Sequence, residues 1–178
     1  MGRSSLAVTA AFATVGLAAC GDDQQAKKTE TVKLELVGAS FAPLQKLAKE
    51  ETMRITVRNP TSKTIEQVTA TVSPGDTAGT GSGFDTRSAD PGVADPSRPI
   101  WVVDEAPKNG VTADPAVTRL GPIAAGKSAS FTWKLMPVRP GTYKLRWTVG
   151  GNLTNQVRVT DQQGDPISGT FPVRISDR

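Results

Sequence analysis

The chain holds one thiol, at Cys20, and no imidazole. A cysteine is a nucleophile once it loses its proton, so Cys20 is the first position that could carry chemistry. The absence of histidine removes the commonest general base and transition-metal ligand. A Ser-His-Asp triad, a His-ligated zinc or copper site and cupredoxin-type electron transfer are therefore excluded. What remains is carboxylate chemistry. Asp85, Asp90, Asp95, Asp104 and Glu105 could offer hard oxygens to a calcium ion, but their spacing fits no EF-hand loop. Asp90-Pro91 and Asp95-Pro96 are also favoured turn starters, because an aspartate ahead of proline caps nearby backbone donors. Turn chemistry is the plainer reading, and Asp85, Asp90, Asp95 and Asp104 stay weak calcium candidates. An acid pair drawn from Asp104, Glu105 and Asp85 would suit glycoside hydrolysis. Few aromatics are present to stack a sugar, so no catalytic residues, metal or cofactor are expected.

Cys20 closes the run Leu17-Ala18-Ala19-Cys20, ahead of Gly21. Arg3 and a mostly apolar stretch from Leu6 to Ala19 precede it, the order of charge, apolar run and small residues found in a secretory signal peptide. The apolar stretch is shorter than the ~20 residues a membrane-spanning helix needs. The run at 17–20 resembles the bacterial lipobox. That resemblance implies that Cys20 receives a diacylglyceryl group and that the chain is cut before it, making residues 1–19 a signal peptide. Two acyl chains would supply roughly 20 kcal/mol of anchoring. The expected location is the extracytoplasmic face of the cell membrane, with the membrane itself as one partner through Cys20.

Residues 20–29 read as a polar tether without apolar periodicity. At up to ~3.5 Å per residue, it could lift a domain ~35 Å from the bilayer. The formal net charge of +4 comes from scattered Lys and Arg, which suits anionic surroundings and, in an exported chain, does not point to nucleic acid. With Cys20 lipidated no thiol is left for a disulfide, so stability must come from apolar burial.

From Glu30 onward, short alternating runs are separated by turn residues. Val32, Leu34 and Leu36 share one face; so do Met53, Ile55 and Val57, and then Val68, Ala70 and Val72. Phe131, Trp133 and Leu135 follow, then Tyr143, Leu145, Trp147 and Val149, then Val157 and Val159, and last Phe171, Val173 and Ile175. Period-two alternation marks strands with one buried face. Leu44–Glu50 reads as a turn or one loose helical turn. Seven to eight such strands predict an all-β antiparallel sandwich over residues 30–178. Trp133, Tyr143 and Trp147 fall in the buried register and are expected in the core. Arg54, Arg58, Arg139, Lys144 and Arg146 fall on solvent-facing positions or turns, as a solvated surface or, together, a basic face for acidic polymers.

Residues 53–72 look like the strand, Asn, turn, strand hairpin of bacterial immunoglobulin-like domains, close to CARDB and related cell-adhesion modules. Residues 120–149 are similar to their proline, Ala-Gly-Lys, strand, Pro-Gly-x-Tyr, strand pattern. The mature region also resembles exported proteins of high-GC Gram-positive bacteria. These resemblances imply an immunoglobulin-like sandwich and no particular chemistry. The departure from the module is the segment 73–99, rich in Gly, Asp, Ser and Pro. Loops this long are usually functional or disordered, and loops on a rigid sandwich commonly carry recognition. Phe84, Arg87, Arg98 and Trp101 are therefore the expected recognition residues. The expected function is a lipid-anchored, non-enzymatic binding or scaffolding module that recognises an envelope protein or wall polymer. A small-ligand or calcium-binding accessory domain is the alternative.

Overall fold

A computed structural model describes residues 30–74, 83–86, 99–107, 117–151 and 157–177. The expected signal peptide and tether, and Cys20, lie outside these residues. Among the described residues there are twelve strands: β1 (Glu30–Lys33), β2 (Glu35–Ser40), β3 (Leu44–Lys46), β4 (Glu51–Arg58), β5 (Val68–Pro74), β6 (Phe84–Thr86), β7 (Trp101–Glu105), β8 (Val117–Leu120), β9 (Ser128–Pro137), β10 (Gly141–Gly150), β11 (Val157–Thr160) and β12 (Ser168–Ser176). The longer strands form where alternation predicts them, because one face of each has a core to enter. Met53, Ile55 and Val57 of β4, Phe131, Trp133 and Leu135 of β9, and Tyr143, Leu145, Trp147 and Val149 of β10 are all buried, with polar residues between them turned outward.

Two five-stranded sheets pack face to face. Sheet I has the order β3-β12-β10-β5-β8 and sheet II the order β2-β4-β9-β7-β6, with β1 and β11 as a separate two-stranded ribbon. One apolar cluster fills the space between the sheets. It includes aromatic contacts across the gap, such as Trp101 with Tyr143 at 5.7 Å between ring centres. This is an all-β sandwich of the immunoglobulin-like class expected.

Several details depart from expectation. The strands outnumber seven or eight because the run Val32, Leu34, Leu36 is divided between β1 and β2 at Leu34, and because β3, β6 and β8 are three or four residues long, too short to show alternation. Three pairings are parallel rather than antiparallel: β1 with β11, β3 with β12, and β6 with β7. Where a turn or one loose helical turn is expected at 44–50, the chain forms β3 and then a turn at Leu47 and Ala48. Ala48 sits at φ 59°, a left-handed conformation uncommon for residues other than glycine. Residues 84–86, inside the expected 73–99 loop, form β6 at the margin of sheet II. Leu36, expected inward, shares the face of its buried partner Val57 but is exposed, because β2 is an edge strand of sheet II.

The segment read as a hairpin, 53–72, is an arch, and so is the turn between β9 and β10. β4 and β5 belong to opposite sheets, as do β9 and β10. Asn59 is the plug of the first arch and is fully buried. Its Nδ2 donates to the carbonyls of Lys63 (2.7 Å) and Ile123 (2.9 Å). Its Oδ1 accepts from the Thr61 amide and hydroxyl. A buried amide with every group matched fixes one geometry. In the second arch, Tyr143 Oη donates to the Pro140 carbonyl at 2.8 Å. Gly141 there has φ 147°, and a Cβ at this position would lie 2.7 Å from the same Oη, so the close approach of ring and backbone requires glycine.

Candidate functional site

The expected recognition residues bracket β6 and β7. On β7, Trp101 and Val103 point into the core while Val102 and Asp104 point away. Parallel pairing sets Phe84 of β6 opposite Trp101, and the two rings stack at 5.6 Å with 21° between their planes. Phe41 packs against Trp101 from another side at 5.7 Å. Trp101 Nε1 donates to Gln45 Oε1 at 2.8 Å. Phe84 and Trp101 are thus core residues and present no surface to a partner. The sequence hid this because Ile100 and Val102 are apolar as well, which erases the alternation around Trp101. Arg87, Arg98, Asp90 and Asp95 lie outside the described residues. Asp85 pairs through its backbone with Val102.

Asp104 and Glu105 end β7 on the surface. A register shift between Val103 and Glu105 puts Glu105 opposite Lys134 of β9. Lys134 Nζ lies 2.8 Å from Glu105 Oε2, with both side chains a little under half exposed. The hydrogen bond with Glu105 raises the Lys134 pKa above its ordinary value, the charge of Glu105 adds to the rise, and Glu50 and Asp104 contribute further. A shallow groove of about 250 Å³ beside the pair is lined by Glu105, Ala106, Ser130, Thr132 and Lys134. The acid therefore faces an ammonium group, not a second acid, and the pair is a surface ion pair rather than the two-carboxylate arrangement glycoside hydrolysis requires. Among the described residues, no three Asp, Glu, Cys or His side chains group to hold a metal.

Two further depressions are open to solvent. One, of about 610 Å³, runs between β1 and the segment 61–67. The other, of about 360 Å³, lies beside β3, where Lys46, Lys49, Glu51 and Arg174 surround the buried Gln45. Leu44 stands at its rim with 74% of its surface exposed.

The arginines and lysines singled out in the sequence are not brought together. Arg54 and Arg58 lie on the outer face of sheet II, where Arg58 meets Glu35 at 3.4 Å. Lys144 and Arg146 lie on the outer face of sheet I. Arg139 sits in the turn between β9 and β10. The arches divide them, since each arch carries the chain from one sheet to the other.

No family model matches the chain, and no curated protein is similar to it. Solved structures resemble it at low identity. The CARDB domain of a Pyrococcus furiosus protein, crystallised in complex with di-metal ions, is 12% identical, with a TM-score of 0.46 over 82% of this chain and 93% of that one. A solution structure of the same domain is 11% identical, with a TM-score of 0.49 over 84% and 99%. Native alpha-2-macroglobulin from Escherichia coli, spanning domain MG7 to the C-terminus, is 8% identical, with a TM-score of 0.46 over 84% of this chain and 17% of that one. These likenesses concern fold alone, and the sandwich stands on its own strand pairing.

Proposed function

We propose that this chain is a non-catalytic binding module of the cell envelope, lipid-anchored through Cys20, that holds a protein or wall component at the extracytoplasmic face of the membrane. The observation that carries the non-catalytic part is the distribution of its polar groups. Among the described residues the buried polar side chains are Gln45, Asn59, Thr69, Thr118 and Thr160, and none is charged. Gln45 and Asn59 are engaged in joining strands. Acid–base catalysis relies on ionisable groups whose pKa is shifted by burial or by neighbouring charge. Here Asp104 and Glu105 of β7 are exposed, and Glu105 meets Lys134. Anchoring is supported by the run Leu17-Ala18-Ala19-Cys20.

The test has two arms. Cells given labelled fatty acid should incorporate it into the wild-type chain and not into Cys20→Ala, and the variant should leave the membrane fraction. Equal labelling and equal membrane retention of both would rule out the anchor. For recognition, the chain with and without residues 76–81 and 88–97, keeping Phe84 and β6 in place, is used to capture envelope components after cross-linking. A component held by the intact chain and lost without those segments supports recognition through the 73–99 region, and Arg87→Ala with Arg98→Ala, two residues the excisions leave in place, tests its basic members separately. Equal capture by both chains would move recognition to the sheet faces. The groove between β1 and residues 61–67 favours a second reading, a small-ligand accessory domain, in which case the ligand would raise the Tm with concentration.

A further inference from the structure

The two sheets differ sharply in charge. The strands of sheet II carry Glu35, Glu51, Asp85, Asp104 and Glu105 against Arg54, Arg58 and Lys134. The strands of sheet I carry Lys46, Arg119, Lys144, Arg146 and Arg174 and no Asp or Glu at all. Alternation turns all five of these basic residues to the outer face, since their strand neighbours Gln45, Thr118, Leu120, Tyr143, Leu145, Trp147, Val173 and Ile175 are buried.

Register arranges four of them in a row. Lys46 pairs with Ser176, so Arg174, two residues back on β12, is its diagonal neighbour. Arg174 pairs with Thr142, so Lys144 is the next diagonal neighbour on β10, and Arg146 follows two residues along the same strand. Diagonal and same-face neighbours in a sheet lie ~7 Å apart, so the row covers about 20 Å over three strands. Exposed hydroxyls flank it, from Thr142, Thr148 and Thr170 on the same sheet and Ser73 opposite Arg146. Arg119 and Arg146 make contacts of their own within the chain. Among the described residues, Glu51 lines the same groove as Lys46, Lys49 and Arg174, and Asp177 follows β12.

Edge protection does not account for this row. Lysines discourage sheet-to-sheet pairing when they stand on edge strands, and the edges of sheet I are β3 and β8. Lys144 and Arg146 stand on β10, its central strand. Like charges ~7 Å apart lie within the screening length at physiological salt and repel, so Lys46, Arg174 and Lys144 side by side favour a bound anion.

We infer that the outer face of sheet I, through Lys46, Arg174 and Lys144, is the binding site for a linear polyanion of phosphodiester type, laid diagonally across β3, β12 and β10. A row of cations flanked by hydroxyls matches a chain of repeating phosphates, with ammonium and guanidinium groups meeting charge and hydroxyls donating to the remaining oxygens. Nucleic acid fits poorly, because stacking platforms need exposed rings, whereas all three tryptophans and Tyr143 are buried. A bilayer surface fits less well, since the face offers Leu44 alone as a large exposed apolar side chain. Neither Cys20 nor residues 75–97 take part, so this site and the anchored-module reading can fail separately.

The experiment is a titration of the full-length chain, in non-ionic detergent, with long-chain inorganic polyphosphate. Binding should be measurable in 50 mM salt and weaken about 20- to 50-fold by 200 mM, as expected if three or four phosphates are met. Lys144→Gln with Arg174→Gln should lower affinity at least about tenfold, and Arg54→Gln with Arg58→Gln, the same loss of charge on the other sheet, less than about twofold. Lys144→Arg with Arg174→Lys, which keeps the charge, should retain binding. Thermal unfolding of each variant confirms that it is folded. No binding in 50 mM salt, or equal loss from both glutamine pairs, would overturn the site. Capture by phosphatidylglycerol vesicles without binding of soluble polymer would reassign the face to the membrane. Preference for a single-stranded oligonucleotide over polyphosphate of equal charge would reassign it to nucleic acid.

Discussion

Gln45 and Trp101 are joined by a 2.8 Å hydrogen bond from the indole Nε1 to the amide Oε1, and this bond ties β3 of sheet I to β7 of sheet II through the core. The other end of the amide is also engaged, since Gln45 Nε2 donates to the Ala42 carbonyl at 2.9 Å. A glutamine is buried here because a buried indole needs an acceptor. Three rings surround the indole, from Phe41, Phe84 and Tyr143, and none can accept its hydrogen as a carbonyl does.

Replacing Gln45 by leucine keeps the volume and removes the acceptor. The buried N–H would be left without a partner, at a cost of about 1–3 kcal/mol. Chemical denaturation of Gln45→Leu should show a lower midpoint with an unchanged slope. Trp101→Phe made alone should also destabilise, and the two together should cost less than their sum, because each single change strands the other's polar group. Strict additivity would mean that the bond contributes nothing.

The same pair shows why part of the fold was hidden in the sequence. β4, β5, β9, β10 and β12 are legible because each has alternating apolar residues with a core to enter. β3 is not, because its inward residue is Gln45, flanked by Leu44 and Lys46 that both point out. Its partner is β12, at the far end of the chain, and nothing local announces that pairing. The site residues suffered in a related way. Phe84 looks like a loop aromatic, and Trp101 stands in an apolar strand with no alternation to give its direction, until parallel pairing of β6 and β7 turns both inward. The basic row of sheet I was half visible, as Lys144 and Arg146. Lys46 and Arg174 join it only once the order β3-β12-β10 is known, and Arg54 and Arg58 leave it once the arches are seen.

Tyr143 is the only tyrosine, so its ionisation can be followed cleanly by phenolate absorbance. Burial raises its pKa above the ordinary value of 10.0, and the charge of Arg139 offsets part of the rise. The folded state thus holds the proton more tightly than the unfolded state does. The stability this represents is complete below about pH 10 and is lost as pH rises through the folded pKa. The phenolate signal should appear above pH 10 and sharpen towards an unfolding transition, while Tyr143→Phe should flatten the alkaline decline. A simple titration centred at 10.0 in the folded protein would contradict the burial of this ring.

Asn59→Asp tests the first arch by charge. The new oxygen would face the carbonyls of Lys63 and Ile123, which now receive Nδ2 hydrogens. Burial and these two oxygens would raise the folded pKa of the aspartate above its unfolded value of about 3.9. The variant should therefore come closest to wild type below about pH 4, where a protonated carboxyl can still donate once. Its deficit should grow as pH rises, reaching about 3 kcal/mol or more near neutrality. Urea denaturation at pH 4 and pH 7 reads this directly, and a deficit independent of pH would mean that the amide hydrogens are not what the arch needs.

The segment between β5 and β7 should divide into a dispensable part and an essential part. Gly83 packs against Pro74, to within about 3 Å for a Cβ placed there, so the two residues that flank 75–82 lie side by side. Replacing residues 76–81 by a short Gly-Ser turn keeps that closure. Loop entropy changes only slowly with length, so the Tm should scarcely move. Replacing the whole of 75–97 instead removes Phe84, which is buried and stacked on Trp101. Loss of a buried phenylalanine costs about 3–5 kcal/mol, and removal of β6 leaves β7 as the open edge of sheet II. The larger excision should therefore lower the Tm about as much as Phe84→Ala does within an intact chain. If it is as harmless as the smaller one, β6 adds nothing to the sandwich, and the region is a loop from end to end.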